Sequence, residues 1–182
     1  MRLTRFTDYA LRTLIYVGSH EPQQSSIAGI ARAYGISETH LVKVVHQLGR
    51  LGLIRTTRGR GGGIRLGQAP SEITVGAVIR QTEEDLALVE CFVGQACAIT
   101  APCRLRRVLG EALDAFLAVL DRYTLADLLA DDAGAEIAML LGLTVPTPRE
   151  RAGGPSGGSS GQMASGSERL DQSRTSSRAG RR

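Results

Sequence analysis

The amino-acid sequence predicts a mainly α-helical fold with a small β-hairpin wing. The expected order is a winged helix-turn-helix, a loop that carries every cysteine, and a long helix. Three observations support this fold class: helical spacing of apolar residues at the start, a glycine-rich turn between two short strand patterns, and a long helical pattern after Cys103. With 182 residues, the chain has room for one domain of average size and an appendage.

The first helix is predicted between Leu3 and Val17, where apolar residues recur at helical spacing. Thr4 or Thr7 can cap its start, because a threonine hydroxyl can accept a hydrogen bond from the backbone of the first turn. Gly18 is expected to end this helix.

Two shorter helical patterns complete a helix-turn-helix. The first is capped by Ser25 or Ser26 and closes at Gly35, and the second begins with Ser37 as its N-cap. A tight turn joins the pair, and the second helix of such a motif enters the DNA major groove. The apolar face that the second helix is expected to bury consists of Leu41, Val44, Val45 and Leu48.

A basic β-hairpin wing with a glycine-rich turn is predicted between residues 51 and 68. Arginine binds phosphate and the narrow minor groove, and polar side chains of the second helix can reach base edges. For each of these residues taken alone, the alternative interpretation is a solvated side chain on an exposed face. For the whole set, the alternative is a winged helix that binds only protein. A nucleotide site is discounted because no GK[ST] follows the glycines. The candidate DNA contacts are Ser37, Thr39, His40, Lys43, Arg58, Arg60 and Arg65.

Charge divides the chain into three parts. Residues 1–70, the expected DNA-binding domain, hold ten basic and three acidic residues, whereas residues 71–144 hold five basic and twelve acidic ones. A basic N-terminal part indicates a polyanion as partner. Residues 145–182 are rich in Gly, Ser and Arg and are expected to be a disordered tail. No apolar run approaches the ~20 residues that span a membrane, so we expect no membrane partner and a cytoplasmic protein.

All cysteines lie in one short stretch, with five residues between Cys91 and Cys97 and five between Cys97 and Cys103. Thiolates on one irregular loop can face a single soft metal centre, and Gly94 and Pro102 favour such a loop. Zinc fits less well because no second ligand pair follows, and an odd number of cysteines leaves one thiol outside any disulfide scheme. Three small buried hydrophobic residues are the plain alternative. The three cysteines leave a metal site that takes four ligands one ligand short.

Helical patterns flank this stretch on both sides. Before it, Ser71 or Thr74 can cap a short helix, and the acidic residues at 83–90 are interpreted as solvated loop charges. After it, the long helix carries an apolar stripe too wide for the preceding chain to cover. A second copy of this helix would cover the stripe, and a two-fold dimer matches palindromic operator half-sites. Thr124 caps a last short helix, which the following residues either extend or follow as a separate helix.

The opening RLTRFTDYALRTL, the wing RGRGGGIRL, the following ITVGAVIR and the CX5CX5C spacing together resemble the NsrR-type repressors. These are nitric-oxide-sensing members of the iron–sulfur winged-helix regulators that also include IscR. The resemblance covers about residues 1–130. It implies a homodimeric transcriptional repressor, not an enzyme, with one iron–sulfur cluster per subunit, [4Fe–4S] favoured over [2Fe–2S]. It also implies that nitric oxide attacks the cluster and thereby releases operator DNA.

The resemblance also implies a fourth ligand. NsrR-type proteins can use an aspartate near the start of the first helix, supplied across the dimer, and Asp8 stands at that place. Without the resemblance, Asp8 is an ordinary first-turn carboxylate favoured by the helix dipole. The IscR-type histidine three residues after the third cysteine is replaced by Arg106. Alternatives left open are a regulator of iron–sulfur supply or general redox response, a zinc-only winged helix, and a thiol oxidoreductase, against which there is no CxxC.

Overall fold

The computed structural model describes residues 2–59, 61–94 and 97–143 of the chain. Two sequence predictions, the disordered tail at 145–182 and the DNA contact by Arg60, lie outside these residues. The three helices predicted at the start of the chain are present. They are α1 (Arg5–His20), α2 (Ile27–Tyr34) and α3 (Glu38–Arg50).

Helix α1 begins as predicted and ends later than predicted. The hydroxyl of Thr4 caps it by accepting a hydrogen bond from the backbone N–H of Thr7. The prediction that Gly18 ends the helix is wrong, because α1 continues to His20. Gly18 instead permits close packing: a Cβ atom there would lie 2.7 Å from Cδ1 of Leu129, which comes from the C-terminal part of the chain.

The helix-turn-helix follows the predicted pattern. Ser26 caps α2 by accepting from the N–H of Gly29, and Gly35 ends it with a φ of 64°, a left-handed conformation that favours glycine. Ser37 takes the N-cap position of α3 without a side-chain capping bond. The predicted buried face of α3 is confirmed, because Leu41, Val44, Val45 and Leu48 are all buried.

The wing is an antiparallel hairpin of β1 (Ile54–Thr57) and β2 (Gly63–Leu66), as predicted. It is attached to the connection between α1 and α2. The backbones of Ser25 and Ile64 exchange two hydrogen bonds of 2.9 and 2.8 Å, and the N–H of Leu66 donates to Oε1 of Glu21 at 3.2 Å. The base of the wing is therefore held against the helix-turn-helix.

Four further helices follow: α4 (Val75–Thr82), α5 (Arg104–Leu120), α6 (Leu125–Leu128) and α7 (Asp131–Leu140). Thr74 caps α4, and the residues after α6 form a separate helix, which settles the alternative left open above. Helices α4, α6 and α7 all contact α1, so α1 is the central element. In the described part of the chain, no helix has both the length and the apolar character needed to cross a membrane.

Burial differs sharply along the chain. The core draws buried side chains from α1, α2, α3, α4 and the wing, among them Leu14, Ile30, Leu48 and Val78. In contrast, no described residue from Glu83 to Thr124 is fully buried. Apolar side chains of α5 even face solvent, and Leu105 and Val108 are 63% and 53% exposed. Burying one such side chain stabilises a fold by about 1.5–3 kcal/mol, and the exposed side chains of α5 do not contribute this stabilisation in the single chain.

Candidate functional site

Four of the predicted DNA contacts lie together at the start of α3. Ser37, Thr39, His40 and Lys43 are all exposed. The ring of His40 lies 6.3 Å from the ring of Tyr9 in α1, so it also has a neighbour within the protein. In a helix-turn-helix, the N-terminal residues of the second helix are those that contact base edges. The structure leaves this part of α3 accessible, and the contacts themselves stay a prediction.

The wing exposes the predicted residues Arg58 and Arg65, and its strand register adds Arg55. Arg55 lies directly opposite Arg65 in the hairpin, and both side chains are exposed. Like charges at opposed positions destabilise a hairpin, and a phosphate beside them would relieve the repulsion. Arg55 therefore joins the candidates for phosphate contact. The prediction missed this pairing because the register cannot be read from composition alone.

The three cysteines are free thiols on an irregular, solvent-facing segment. Cys91 and Cys103 are half-buried and Cys97 is exposed, so none is a core residue of the described chain. Cys91 lies in a short 3₁₀ helix, Glu90–Phe92, and Cys103 is the N-cap residue of α5. Gly94 has a φ of 88°, which confirms the expected break in regular structure.

Consecutive turns fold the second half of this segment. Thr100 donates to the carbonyl oxygen of Cys97 from both its N–H, at 3.0 Å, and its hydroxyl, at 2.8 Å. The N–H of Cys103 then donates to the carbonyl oxygen of Thr100 at 3.4 Å. Arg106, one helical turn further on, places its guanidinium carbon 5.9 Å from the centre of the Phe92 ring.

The donor set fits an iron–sulfur cluster chemically, because three accessible thiols share one irregular segment. Within the described part of a single chain, however, no three His, Cys, Asp or Glu side chains come close enough to hold a metal ion. Asp8 lies in the first turn of α1, 44% exposed, and accepts a hydrogen bond of 2.9 Å from Nε of Arg12. Its role as a ligand supplied across a dimer therefore stays a prediction.

Arg12 connects Asp8 to the helix-turn-helix. Besides its pair with Asp8, its guanidinium carbon lies 5.7 Å from the centre of the Tyr34 ring. Tyr34 is the last residue of α2, next to the turn that leads into α3. Burial raises the pKa of Tyr34, and the nearby charge of Arg12 lowers it. The spacing of Asp8 and Arg12 indicates their pairing, but nothing in the sequence points to Tyr34.

Glu83, the residue after α4, connects the end of that helix to the start of α1. Its Oε1 accepts hydrogen bonds from the backbone N–H of Thr4 at 2.8 Å and from the Thr4 hydroxyl at 3.1 Å. The interpretation of Glu83 as a solvated loop charge is therefore wrong. A carboxylate at a helix N-terminus binds otherwise unpaired N–H groups and is favoured by the helix dipole, which explains the contact.

Comparison with known proteins agrees with this architecture. A family model described as Rrf2, iron-dependent transcriptional regulator, matches residues 3–131. The chain belongs to the Rrf2 family. This Rrf2 protein is 57% identical over 136 residues to the HTH-type transcriptional regulator NsrR of Geobacillus kaustophilus, covering 73% of this chain and 92% of that one. The protein of the same name from Bacillus subtilis is 53% identical over 131 residues, covering 70% and 90%.

A solved structure confirms the fold class. CymR, described as the global cysteine regulator of B. subtilis, matches with a TM-score of 0.60 and 30% identity over 70% of this chain and 95% of that one. The family and these relatives together show that this Rrf2 protein is a DNA-binding transcriptional regulator of the NsrR type with a winged-helix fold.

Proposed function

We propose that this Rrf2 protein is a cytoplasmic, homodimeric repressor that holds an iron–sulfur cluster through Cys91, Cys97 and Cys103 and releases operator DNA in response to nitric oxide. One observation carries the proposal. Three free thiols, evenly spaced on an irregular exposed segment, occur in a chain that is 57% identical to a regulator named NsrR over 92% of that protein. Thiolates on such a segment are the ligands that iron–sulfur clusters require.

When bound, the cluster, [4Fe–4S] in preference to [2Fe–2S], supplies iron that a small diatomic molecule can reach. In this proposal Asp8 has two possible partners, Arg12 and the cluster. In the described chain, Asp8 pairs with Arg12 at 2.9 Å. As a fourth ligand supplied to the other subunit, Asp8 would share its carboxylate between the iron and Arg12, which would weaken this pair while Arg12 keeps its contact with Tyr34. The contact of Arg12 with Tyr34 would then connect a change at Asp8 to the turn before α3.

Operator binding uses α3 for base edges and the wing for phosphates. The exposed polar residues of α3 and the opposed pair Arg55 and Arg65 support this division of contacts. Each phosphate contact releases counterions, so operator affinity is expected to fall steeply as salt concentration rises. Replacing Arg65 with alanine should weaken binding to all sequences alike and reduce this salt dependence.

Dimerisation uses the apolar face of α5. Leu105, Val108, Phe116 and Val119 are 63%, 53%, 37% and 43% exposed, and a helix with such a stripe normally buries it. An isologous contact between two copies of α5 covers both stripes at once and gives the two-fold symmetry of a palindromic operator. Replacing Phe116 with glutamate should therefore shift the protein towards monomer in analytical ultracentrifugation.

Native mass spectrometry of anaerobically purified protein, before and after nitric oxide, tests the cluster, its stoichiometry and its signal together. We expect a dimer heavier by two clusters, converted stepwise to nitrosylated species, and loss of operator binding over the same titration. The variant Cys97→Ser is the matched control and should carry no intact cluster while keeping the winged-helix fold. A dimer that carries zinc or no metal and ignores nitric oxide would overturn the proposal.

Parallel titrations separate the alternatives. Operator release by oxygen or peroxide but not by nitric oxide would indicate a general redox regulator that uses the same fold. Release governed by cluster supply alone would indicate a regulator of iron–sulfur assembly. Thiol turnover without operator binding would indicate an oxidoreductase, which requires a thiolate activated by a neighbouring base.

A further inference from the structure

We propose that Arg106 and Phe92 form a clamp that holds the first and third cysteines of the segment near each other before any metal is bound. The inference rests on the proposed iron–sulfur site and names the residues that organise it. Arg106 is thus a positioning residue, acting on Cys91 and Cys103 through the backbone of their two elements. It stands where the IscR-type histidine would be, and it cannot itself ligate, because a guanidinium has no acceptor atom and stays protonated.

The clamp joins two different secondary-structure elements. Cys91 and Phe92 belong to the 3₁₀ helix Glu90–Phe92, whereas Cys103 and Arg106 begin α5. The guanidinium carbon of Arg106 lies 5.9 Å from the ring centre of Phe92, within the range of an attractive cation–π contact. Since Phe92 directly follows Cys91 and Arg106 lies one helical turn after Cys103, this contact closes the loop between the first and third thiols.

The rest of the segment explains why a closing contact matters here. The bonds from Thr100 and Cys103 fold only its second half, between Cys97 and Cys103. No described residue from Glu83 to Thr124 is fully buried, so burial contributes little to holding Cys91 in place. A loop with free ends must lose entropy when a metal gathers its ligands, and a contact that closes it beforehand lowers that cost.

A cavity lies next to the clamp. It has a volume of about 660 Å³, and Phe92, Cys103, Arg106 and the control residue Arg107 are among the residues that line it. A centre bound by three thiolates is anionic, and Arg106 adds a cation at its edge. Arg106 is exposed to solvent, which screens this attraction, so its main contribution is the position of the loop.

Arg107 provides a matched control in the same helical turn. It carries the same charge one residue away, but its side chain is 75% exposed and its nearest acidic partner is Glu111, at 3.7 Å. Arg106→Ala and Arg107→Ala therefore each remove one positive charge from the same turn. Of the two variants, Arg106→Ala also removes the contact with Phe92. Arg106→Lys keeps the charge but loses the planar face that stacks on the ring.

The deciding measurement uses full-length apo protein in a Cys97→Ser background, so that Cys91 and Cys103 are its two thiols. Equilibration with reduced and oxidised glutathione gives the effective concentration of one thiol near the other. We expect Arg106→Ala and Phe92→Ala to lower it roughly two- to five-fold, the factor that a solvent-exposed cation–π contact corresponds to. Arg107→Ala should leave it unchanged, and Arg106→Lys should fall between.

Equal effective concentrations in the Arg106→Ala and Arg107→Ala proteins would overturn the clamp. A second arm compares the rate at which a chelator removes iron from reconstituted protein with all three cysteines, where Arg106→Ala should lose iron faster than Arg107→Ala. The two proposals fail separately. A cluster and a nitric-oxide response with no effect of Arg106→Ala in either arm would overturn the clamp alone. An effect on the thiols in a protein that binds no cluster would leave the clamp standing and overturn the proposed function.

Discussion

Replacing Arg12 with alanine tests the connection between Asp8 and the helix-turn-helix. The change removes the 2.9 Å ion pair with Asp8 and the contact with the Tyr34 ring at 5.7 Å. The side chains of the pair are 45% and 44% exposed, so the ion pair contributes about 0.3–0.5 kcal/mol. The cation–π contact at such a site contributes roughly 0.5–1 kcal/mol. We therefore expect the apo protein to lose roughly 1 kcal/mol, a fall in Tm of about 2–5 °C.

Urea unfolding of the apo protein at one fixed protein concentration measures this loss, because dimer stability depends on concentration. In an Asp8→Ala background, where the ion pair and the first-turn carboxylate are already absent, Arg12→Ala should still cost roughly 0.5–1 kcal/mol, the contribution of its contact with Tyr34. Arg12 also lowers the pKa of Tyr34, so Arg12→Ala should raise that pKa further, measured as the difference between ultraviolet titrations with and without Tyr34→Phe. Asp8→Ala and Asp8→Ala/Arg12→Ala proteins whose free energies of unfolding agree within about 0.3 kcal/mol would refute the contact with Tyr34 as a link.

Three more predictions concern stability. Gly35→Ala should lower the free energy of unfolding by roughly 1–2 kcal/mol, because the φ of Gly35 is 64°. Gly49→Ala, at a helical position with open space around it, should raise that free energy by up to about 1 kcal/mol. Equal urea midpoints for the two variants would contradict this prediction. Leu48→Ala, at a fully buried position, should cost about 2–5 kcal/mol in the same assay, and a cost below about 1 kcal/mol would contradict its place in the core. The hydrogen bond from Arg80 lowers the pKa of Asp121 below its ordinary value of 3.8, so this pair stabilises the fold above that value and ceases to do so as pH falls through the lowered pKa. Asp121→Asn should accordingly flatten the acid-induced fall in Tm between about pH 5 and about pH 2, and an unchanged profile would contradict it.

Helix starts were the most predictable feature of the fold. Thr4, Ser26, Thr74 and Thr124 each accept a hydrogen bond from the backbone of the helix that they precede, a local interaction that the residue type itself decides. Helix ends depend more on packing. Glycine is a residue at which helices often end, yet α1 continues past Gly18, which packs closely against Leu129.

The cysteines of the candidate site could be selected from the sequence as ligand candidates, but the contacts around them could not be predicted. Spacing alone identifies the three cysteines, because a shared ligand loop is a local property of the chain. The contacts around them join residues far apart in sequence: Thr4 with Glu83, and Arg12 with Tyr34. Periodicity shows which face of a helix is apolar, but it does not show which element lies beside that face. The opposition of Arg55 and Arg65 depends on strand register in the same way.

Two polar, partly exposed contacts lie at the start of α1: Thr4 with Glu83, which follows α4, and Asp8 with Arg12 within α1 itself. Weak contacts of this kind are the ones that a switch can exchange. A ligand can shift an equilibrium only by its differential affinity for the two states, and each 1.4 kcal/mol corresponds to a factor of ten. The bond from Thr4 to Glu83 and the pair of Asp8 with Arg12 are each small next to the ~2–5 kcal/mol of one core leucine. A cleft of about 800 Å³ between α3 and the end of α4, lined by Lys43 and Glu83 among others, lies beside the first of these contacts. These contacts at the start of α1 are weak enough to exchange, whereas the buried side chains that pack α1 against α3 hold those two helices together.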